Sequence, residues 1–289
     1  MQIRLFAGLA AAASRRRNLS QYRVWSWLRA ADVAGRGWWA WDEAVTQVTA
    51  AFGWSRGHTT RILRRGSDAW WCLDRRRDGQ RLVRLRSLER VAEHLFCSPE
   101  RAVQVDAARL RGNAAEFHAL CYEAWVSVRQ RPRQGCVVSR QTLMEVWGVT
   151  AATLRQWERT AGIGVAANWA ELPMPQSGEE ALRYPDADNP ALRWNNGELW
   201  RQMPNTYTAA LRRAPCGQRE RHVLRRALCR CEGAWSKSGT GDPSRRRYFH
   251  GLRGTRRGRS DVWLYVYGKS ARGQGLWWGL CPTGRGARG

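Results

Sequence analysis

Residues 41–85 read WDEAVTQVTAAFGWSRGHTTRILRRGSDAWWCLDRRRDGQRLVRL, and their punctuation predicts helix, tight turn, short helix and hairpin. Ala44, Val45, Val48, Ala51 and Phe52 recur at helical spacing after Asp42, a capping residue, and Gly53 closes that helix. Ser55 opens a second helix whose narrow apolar face is Thr59, Ile62 and Leu63 and which ends at Gly66. Two short helices about a glycine make a helix–turn–helix, the glycine supplying the left-handed residue that lets the second helix cross the first. The outward positions of the second helix are Arg56, His58, Thr60, Arg61 and Arg64, donors suited to phosphates and base edges. Alternating residues 70–73 and 82–85 then flank Arg75-Arg76-Arg77-Asp78-Gly79, where Asp-Gly is a strong hairpin signal. A hairpin directly after such a helix reads as the wing of a winged helix, with three arginines at its tip beside the backbone or minor groove. Upstream, Ser20 caps a helix with Val24, Trp27, Leu28 and Ala31 on one face, ended by Gly35.

The same grammar returns 95 residues later. Setting Gly148 on Gly53 places Leu143 on Val48, Trp147 on Phe52, Val149 on Trp54, Leu154 on Thr59 and Trp157 on Ile62, with Thr59 the exception to matching character. A helix through Phe117, Leu120, Cys121, Ala124, Trp125 and Val128 precedes it, and the outward positions of its second short helix are Thr153, Arg155, Gln156 and Arg159. The second wing starts at Ile163 to Val165, is interrupted by an acidic, proline-containing insertion over residues 173–190, and returns through Leu192, Trp194 and Leu199 around Asn196-Gly197.

Charge separates the segments. The 289 residues carry 49 Lys and Arg, 47 of them arginine, against 24 acids, for a net charge of +25. Residues 1–112 sum to +11, 113–205 to −1 and 206–289 to +15. Arginine bias alone would spread evenly, so the pattern points to ends that grip a polyanion by counterion release around a neutral centre. The expected fold class is mostly α with β-hairpins (α+β): tandem winged helix-turn-helix domains plus a basic C-terminal helix and β-hairpin segment. The expected division is an N-terminal helix or arm at 1–18, winged helix 1 at 19–96, a linker at 97–112, winged helix 2 at 113–205 and a basic C-terminal domain at 206–289. The near-neutral second unit leaves two readings open, DNA contact through Arg155, Gln156 and Arg159 or a homodimer or protein-partner surface, and its charge favours the second by a narrow margin, with an apolar and acidic face including Trp157, Glu179, Glu180, Asp186 and Asp188.

The last segment predicts an amphipathic helix over residues 217–232, then an aromatic hairpin of residues 262–267 and 276–280. Arg245, Arg246, Arg247, Arg256 and Arg257 precede that hairpin among aromatics, which suits phosphate contact and, as a further partner, single-stranded nucleic acid, while a hairpin covering a small core gives the same strand pattern and is the favoured reading of the strands. No run of apolar residues is long enough to span a membrane, and the apolar stretch before Arg15-Arg16-Arg17 reads as a short helix, not an export signal. The eight cysteines show no framework spacing, so reduced thiols in a cytoplasmic, nucleoid-associated protein are expected.

Catalytic constellations are sparse. Gly268-Lys269-Ser270 lacks the glycine a phosphate-binding loop needs, the residue there being Trp263. His222 and Arg225 match a His-x-x-Arg pair of recombinases with Tyr248 downstream, but the remaining Arg/Lys set cannot be placed. Cys216, His222, Cys229 and Cys231 have no common zinc spacing. The expectation is therefore a non-enzyme with no cofactor and no metal.

Over residues 19–205 the arrangement resembles plasmid and phage replication initiators, whose two winged-helix domains bind repeated origin sites, one also serving dimerisation. The resemblance implies sequence-specific double-stranded DNA binding, autorepression and recruitment of replication machinery. The insertion at 173–190 and the strongly basic third segment depart from that pattern. Other readings are a transcriptional regulator of a mobile element and, from different classes, a DNA recombinase or nickase or an RNA-binding scaffold.

Overall fold

The computed structural model describes residues 1–172, 192–195, 198–218 and 221–226. The chain begins with strand β1 (Gln2–Phe6), which runs directly into helix α1 (Ala7–Arg15). Helix α2 (Leu19–Ala31) follows, then strand β2 (Trp38–Ala40), helices α3 (Trp41–Phe52) and α4 (Arg56–Arg65), and strands β3 (Trp71–Arg75) and β4 (Arg81–Leu85). Helix α5 (Leu88–Leu95), strand β5 (Ala102–Asp106) and a 3-10 turn, Ala107–Leu110, lead to the long helix α6 (Ala114–Arg129). Strand β6 (Cys136–Val138), helices α7 (Arg140–Trp147) and α8 (Ala151–Ala161), and strands β7 (Gly164–Leu172), β8 (Leu192–Asn195) and β9 (Glu198–Thr208) complete the order. The chain is thus an α+β protein.

Two segments share one topology. In the first, helix, strand, two short helices and a hairpin form a sheet ordered β2-β4-β3; in the second the same succession forms a sheet ordered β6-β9-β7, with β8 added to β9. Each time, the short strand ahead of the paired helices is antiparallel to the last strand of the hairpin: Trp39 faces Val83, and Val137 faces Thr206. A bulge between Ala166 and Asn168 interrupts the longer second hairpin.

Local chemistry explains the boundaries. Ser55, Ser87, Ser139 and Thr150 each accept a bond from the N3 amide of the helix they precede, and Asn113 and Glu116 form a reciprocal capping box on α6. Gly53 (φ +65°) and Gly148 (φ +64°) close α3 and α7 in the left-handed region, as the alignment of the two turns requires. Two expected caps are displaced. Helix α2 starts two residues early, with Asn18 at its N-cap and no side-chain bond, and α3 starts at Trp41, so Asp42 lies in its first turn and not at its cap.

The first 18 residues are not an arm. Ala7 and Leu9 through Ala13 are buried, and α1 packs against α2, α5, α6 and α7. A helix apolar on all sides has no face to give to water, and its alanines let neighbouring backbones come close. The Tyr22 hydroxyl secures the junction, accepting from the Phe6 amide at 2.7 Å and donating to the Phe6 carbonyl at 3.1 Å. Residues 97–112 are likewise more than a linker: β5 pairs antiparallel with β1, Ile3 facing Val105 and Leu5 facing Val103. One continuous core therefore joins both segments, with Trp25, Trp70, Trp125 and Trp147 all but inaccessible. Chain beyond 205 also belongs to this body, since Tyr207 is buried and Gln130 bonds Ala209.

Trp157, expected on an association surface, is buried against His118, Tyr122 and Trp147. The insertion with Glu179, Glu180, Asp186 and Asp188 lies outside the described residues. So do Cys229, Cys231 and Cys281, Tyr248 and the aromatic hairpin. Residues 221–226 are helical, with Val223 and Leu224 against the core and Arg226 paired with Glu89 at 2.9 Å. Among the described residues Cys72, Cys121, Cys136 and Cys216 are free thiols, no three metal-ligating side chains cluster, and no helix is long and apolar enough to cross a membrane.

Candidate nucleic-acid interface

Helix α4 is held from below and bare above. Thr59, Ile62 and Leu63 are buried, and the Thr59 hydroxyl lies 3.1 Å from that of Thr49, which explains a polar residue on the apolar face: it bonds α4 to α3. Arg56, His58, Arg61 and Arg64 are exposed and Thr60 half-buried, as the period of the buried face requires. They are not equivalent. Arg56 is paired with Asp42 at 2.8 Å, and His58 sits edge-on to Trp54 with ring centres 4.8 Å apart. Arg61 and Arg64 enter no ion pair among the described residues, so their donors remain for a ligand. Arg65, not singled out from the sequence, is also exposed in the last turn.

The hairpin tip beside α4 carries Arg75, Arg76 and Arg77, all exposed. Pairing ends at Arg75 facing Arg81, and Gly79 (φ +82°) closes the turn with its amide on the Arg76 carbonyl at 3.0 Å. Arg76 lies 5.4 Å from the centre of the Trp38 ring, with Arg36 at 5.1 Å from the same ring. Arg76 is thereby braced against β2, while Arg75 and Arg77 project without an ion pair among the described residues.

In the second segment Arg155, Gln156 and Arg159 are exposed on α8, and Thr153 is half-buried beside the Thr150 hydroxyl at 3.1 Å. Arg159 donates to Gln156 at 2.8 Å, so these two present a joined group. Beneath them lies a buried polar network: Arg140 grips both oxygens of Glu158, and the Tyr122 hydroxyl lies 3.3 Å from the same carboxylate. Burial first, and Glu158 second, push the Tyr122 phenol well up, so it stays protonated.

The fold also moves cations between segments. Ser14 of α1 donates to the Trp147 carbonyl at 2.9 Å, and a methyl on Gly148 would lie 3.4 Å from Cγ of Arg15. The exposed Arg15 thus borders the turn between α7 and α8, and Arg17 is exposed two residues on. The charge of −1 counted along residues 113–205 understates the cations beside that turn. No local sequence signal could have revealed this, because it depends on where α1 docks. Arg16 instead donates to the carbonyls of His94 and Leu95. Of the basic C-terminal candidates, Arg245, Arg246, Arg247, Arg256 and Arg257 lie outside the described residues.

Between the segments, a cleft of about 310 Å³ lies between the start of α4 and the start of α6. Trp54 and His58 line one side; Arg111, Asn113 and Ala114 line the other. Arg23, only 3% exposed, lies 4.5 Å from the centre of the Phe52 ring, 5.2 Å from that of Phe117 and 5.4 Å from that of Trp54. It donates to the carbonyls of Leu110 and Gly112. Burial lowers its pKa to about 10, which leaves it charged at neutral pH. An arginine in the middle of an apolar helix face gave no sequence signal of this role.

No protein-family model, curated protein or solved structure matches the chain.

Proposed function

We propose that the chain is a sequence-specific double-stranded DNA-binding protein built on two winged helices, acting in the manner of a plasmid or phage replication initiator. The observation that carries this reading is the repeated topology. Twice, helix, strand, helix, helix and hairpin close a sheet in the same strand order, the second with β8 added, and twice the second short helix leaves arginines in water. In the first copy the hairpin tip extends the cationic surface, in the relation a recognition helix has to a wing. The net charge of +25 supplies the sequence-independent part of the affinity.

A second surface favours a protein contact through the second unit. Val137 on β6 and Met203 on β9 are 56% and 41% exposed. Homodimerisation there is compatible with α8 and Arg15 facing DNA, so the two roles need not exclude each other.

The test is selection of bound sequences from a random duplex pool, followed by titration of Arg61→Ala on selected and scrambled duplex. A base-reading Arg61 loses about 1–3 kcal/mol of discrimination at one or two base pairs. Equal loss on both duplexes reduces Arg61 to a phosphate contact, and failure to enrich any sequence overturns the reading.

A further inference from the structure

We propose that the cleft between the first turn of α4 and the first turn of α6 binds a nucleotide unit, a phosphate ester carrying a planar base. Three features converge there. First, the lining side chains include Arg23 and Arg111 and no carboxylate. Glu116, in the first turn of α6, is engaged in the capping box, its oxygens accepting from the amide and side chain of Asn113 at 3.0 Å. Second, α6 has 16 residues, and the amides of Ala114 and Ala115 precede its first intrahelical bond, so they point out of the helix beside those cations. Third, Arg23 is nearly inaccessible and commits Nε and Nη2 to the Leu110 and Gly112 carbonyls, while its Nη1 has no hydrogen-bond acceptor among the described residues. A buried guanidinium that keeps one donor in a cleft selects an anion.

The opposite wall is aromatic. Trp54 is half-buried with the Phe52 ring against it, centres 4.9 Å apart, and Phe117 also lines the cleft, apolar surface that a base can cover. His118 lies at the inner side, and burial followed by the charge of Arg23 holds its pKa down. A neutral imidazole offers the base a donor and an acceptor without competing with Arg111 for the phosphate. The cavity lies at the lower end of the range for small-ligand pockets, a size for one nucleotide and not for a larger cofactor. Because Trp54 and His58 belong to the first helix–turn–helix, occupancy would bear directly on the start of α4. The cleft stands independently of whether α4 reads duplex DNA.

Calorimetric titration of the full chain with AMP, inorganic phosphate, adenosine and a short single-stranded oligonucleotide tests this. AMP is expected to bind saturably and at least about tenfold more tightly than phosphate or adenosine. Arg111→Ser, at an exposed position, should weaken AMP about tenfold, and Trp54→Ala should erase the advantage of AMP over phosphate. If AMP is ignored but Arg111→Ser and Trp54→Ala each weaken the oligonucleotide by a similar factor, the unit belongs to a nucleic-acid strand and the site holds. AMP bound no better than phosphate, with both variants matching the parent on the oligonucleotide, overturns the proposal. The variant Arg61→Ala should leave AMP affinity unchanged, which keeps failure of duplex recognition distinct from failure of the cleft.

Discussion

Arg140, the first residue of α7, holds Glu158 of α8 with two parallel bonds, Nη1 to Oε1 at 2.9 Å and Nη2 to Oε2 at 3.1 Å. The pair links the two short helices of the second unit from within, since the Glu158 side chain is 7% exposed. Burial opposes the charge of Arg140, and the bonds to Glu158 more than offset it, raising its pKa. Removing one partner strands the other, so Arg140→Met should cost about 3 kcal/mol, the low end for a broken buried pair because the arginine retains some water. Urea unfolding measures it. A loss within experimental error would show that Glu158 finds water when the arginine leaves.

Two glycines near α4 should respond oppositely to alanine. A Cβ at Gly66 would lie 2.2 Å from Cζ2 of the buried Trp71, whose indole nitrogen donates to Leu63 at 2.7 Å and so cannot easily shift. Gly66→Ala is expected to destabilise by about 1–3 kcal/mol or more. At Gly57 nothing lies within 4 Å, and Gly57→Ala should stabilise by up to about 1 kcal/mol through helix propensity. Matching thermal shifts at the two sites would contradict the geometry.

The proposed DNA binding makes a prediction about salt through the β3–β4 hairpin. Replacing Arg75, Arg76 and Arg77 with serine should lower the slope of log affinity for duplex DNA against log salt by about one unit for each phosphate that is no longer neutralised. Arg76, braced on Trp38, is expected to contribute the least of the three when changed singly. An unaltered slope would mean that the hairpin points away from DNA.

Acid should loosen the fold through histidine. The pKa of His118 is lowered by burial and then by Arg23, and that of His94 by burial and then by Arg16. The unfolded chain, with an ordinary value near ~6.5, binds the protons first, so this stability is present above about pH 6.5 and is lost as pH falls through the folded values. Urea midpoints of the parent should fall between about pH 7.5 and 5 more steeply than those of His118→Gln. Parallel curves would show that His118 titrates as it does in water.

The shared core predicts one unfolding event. Ala10 is fully buried in α1, which contacts both segments. Ala10→Leu should cost about 1–3 kcal/mol by overpacking and lower a single calorimetric transition. Two transitions, only one of them shifted, would show that the segments fold separately.

What the amino-acid order determines here is local. Ser55, Gly53, Gly148 and the Asp78-Gly79 turn act within three or four residues, and the faces Ala44–Val45–Val48 and Phe117–Leu120–Cys121 follow the helical period, so both paired helices and the first hairpin were legible. So were the exposed positions Arg61, Arg64 and Arg155, because an outward residue is set by the inward ones. Tertiary structure alone decided the rest. Strand β1 is five residues long and finds its partner about a hundred residues on, and β2 and β6 are three residues each, too short for alternation to register. Helix α1 was legible as a short helix, but neither its burial nor the docking of Ser14 and Arg15 beside Gly148 could be read. Arg23 reads as an ordinary helix arginine until Phe52, Trp54, Phe117 and two carbonyls converge on it. Periodicity records which face of an element is apolar; which distant face covers it depends on contacts whose cost in chain entropy and gain in burial are settled only across the whole core.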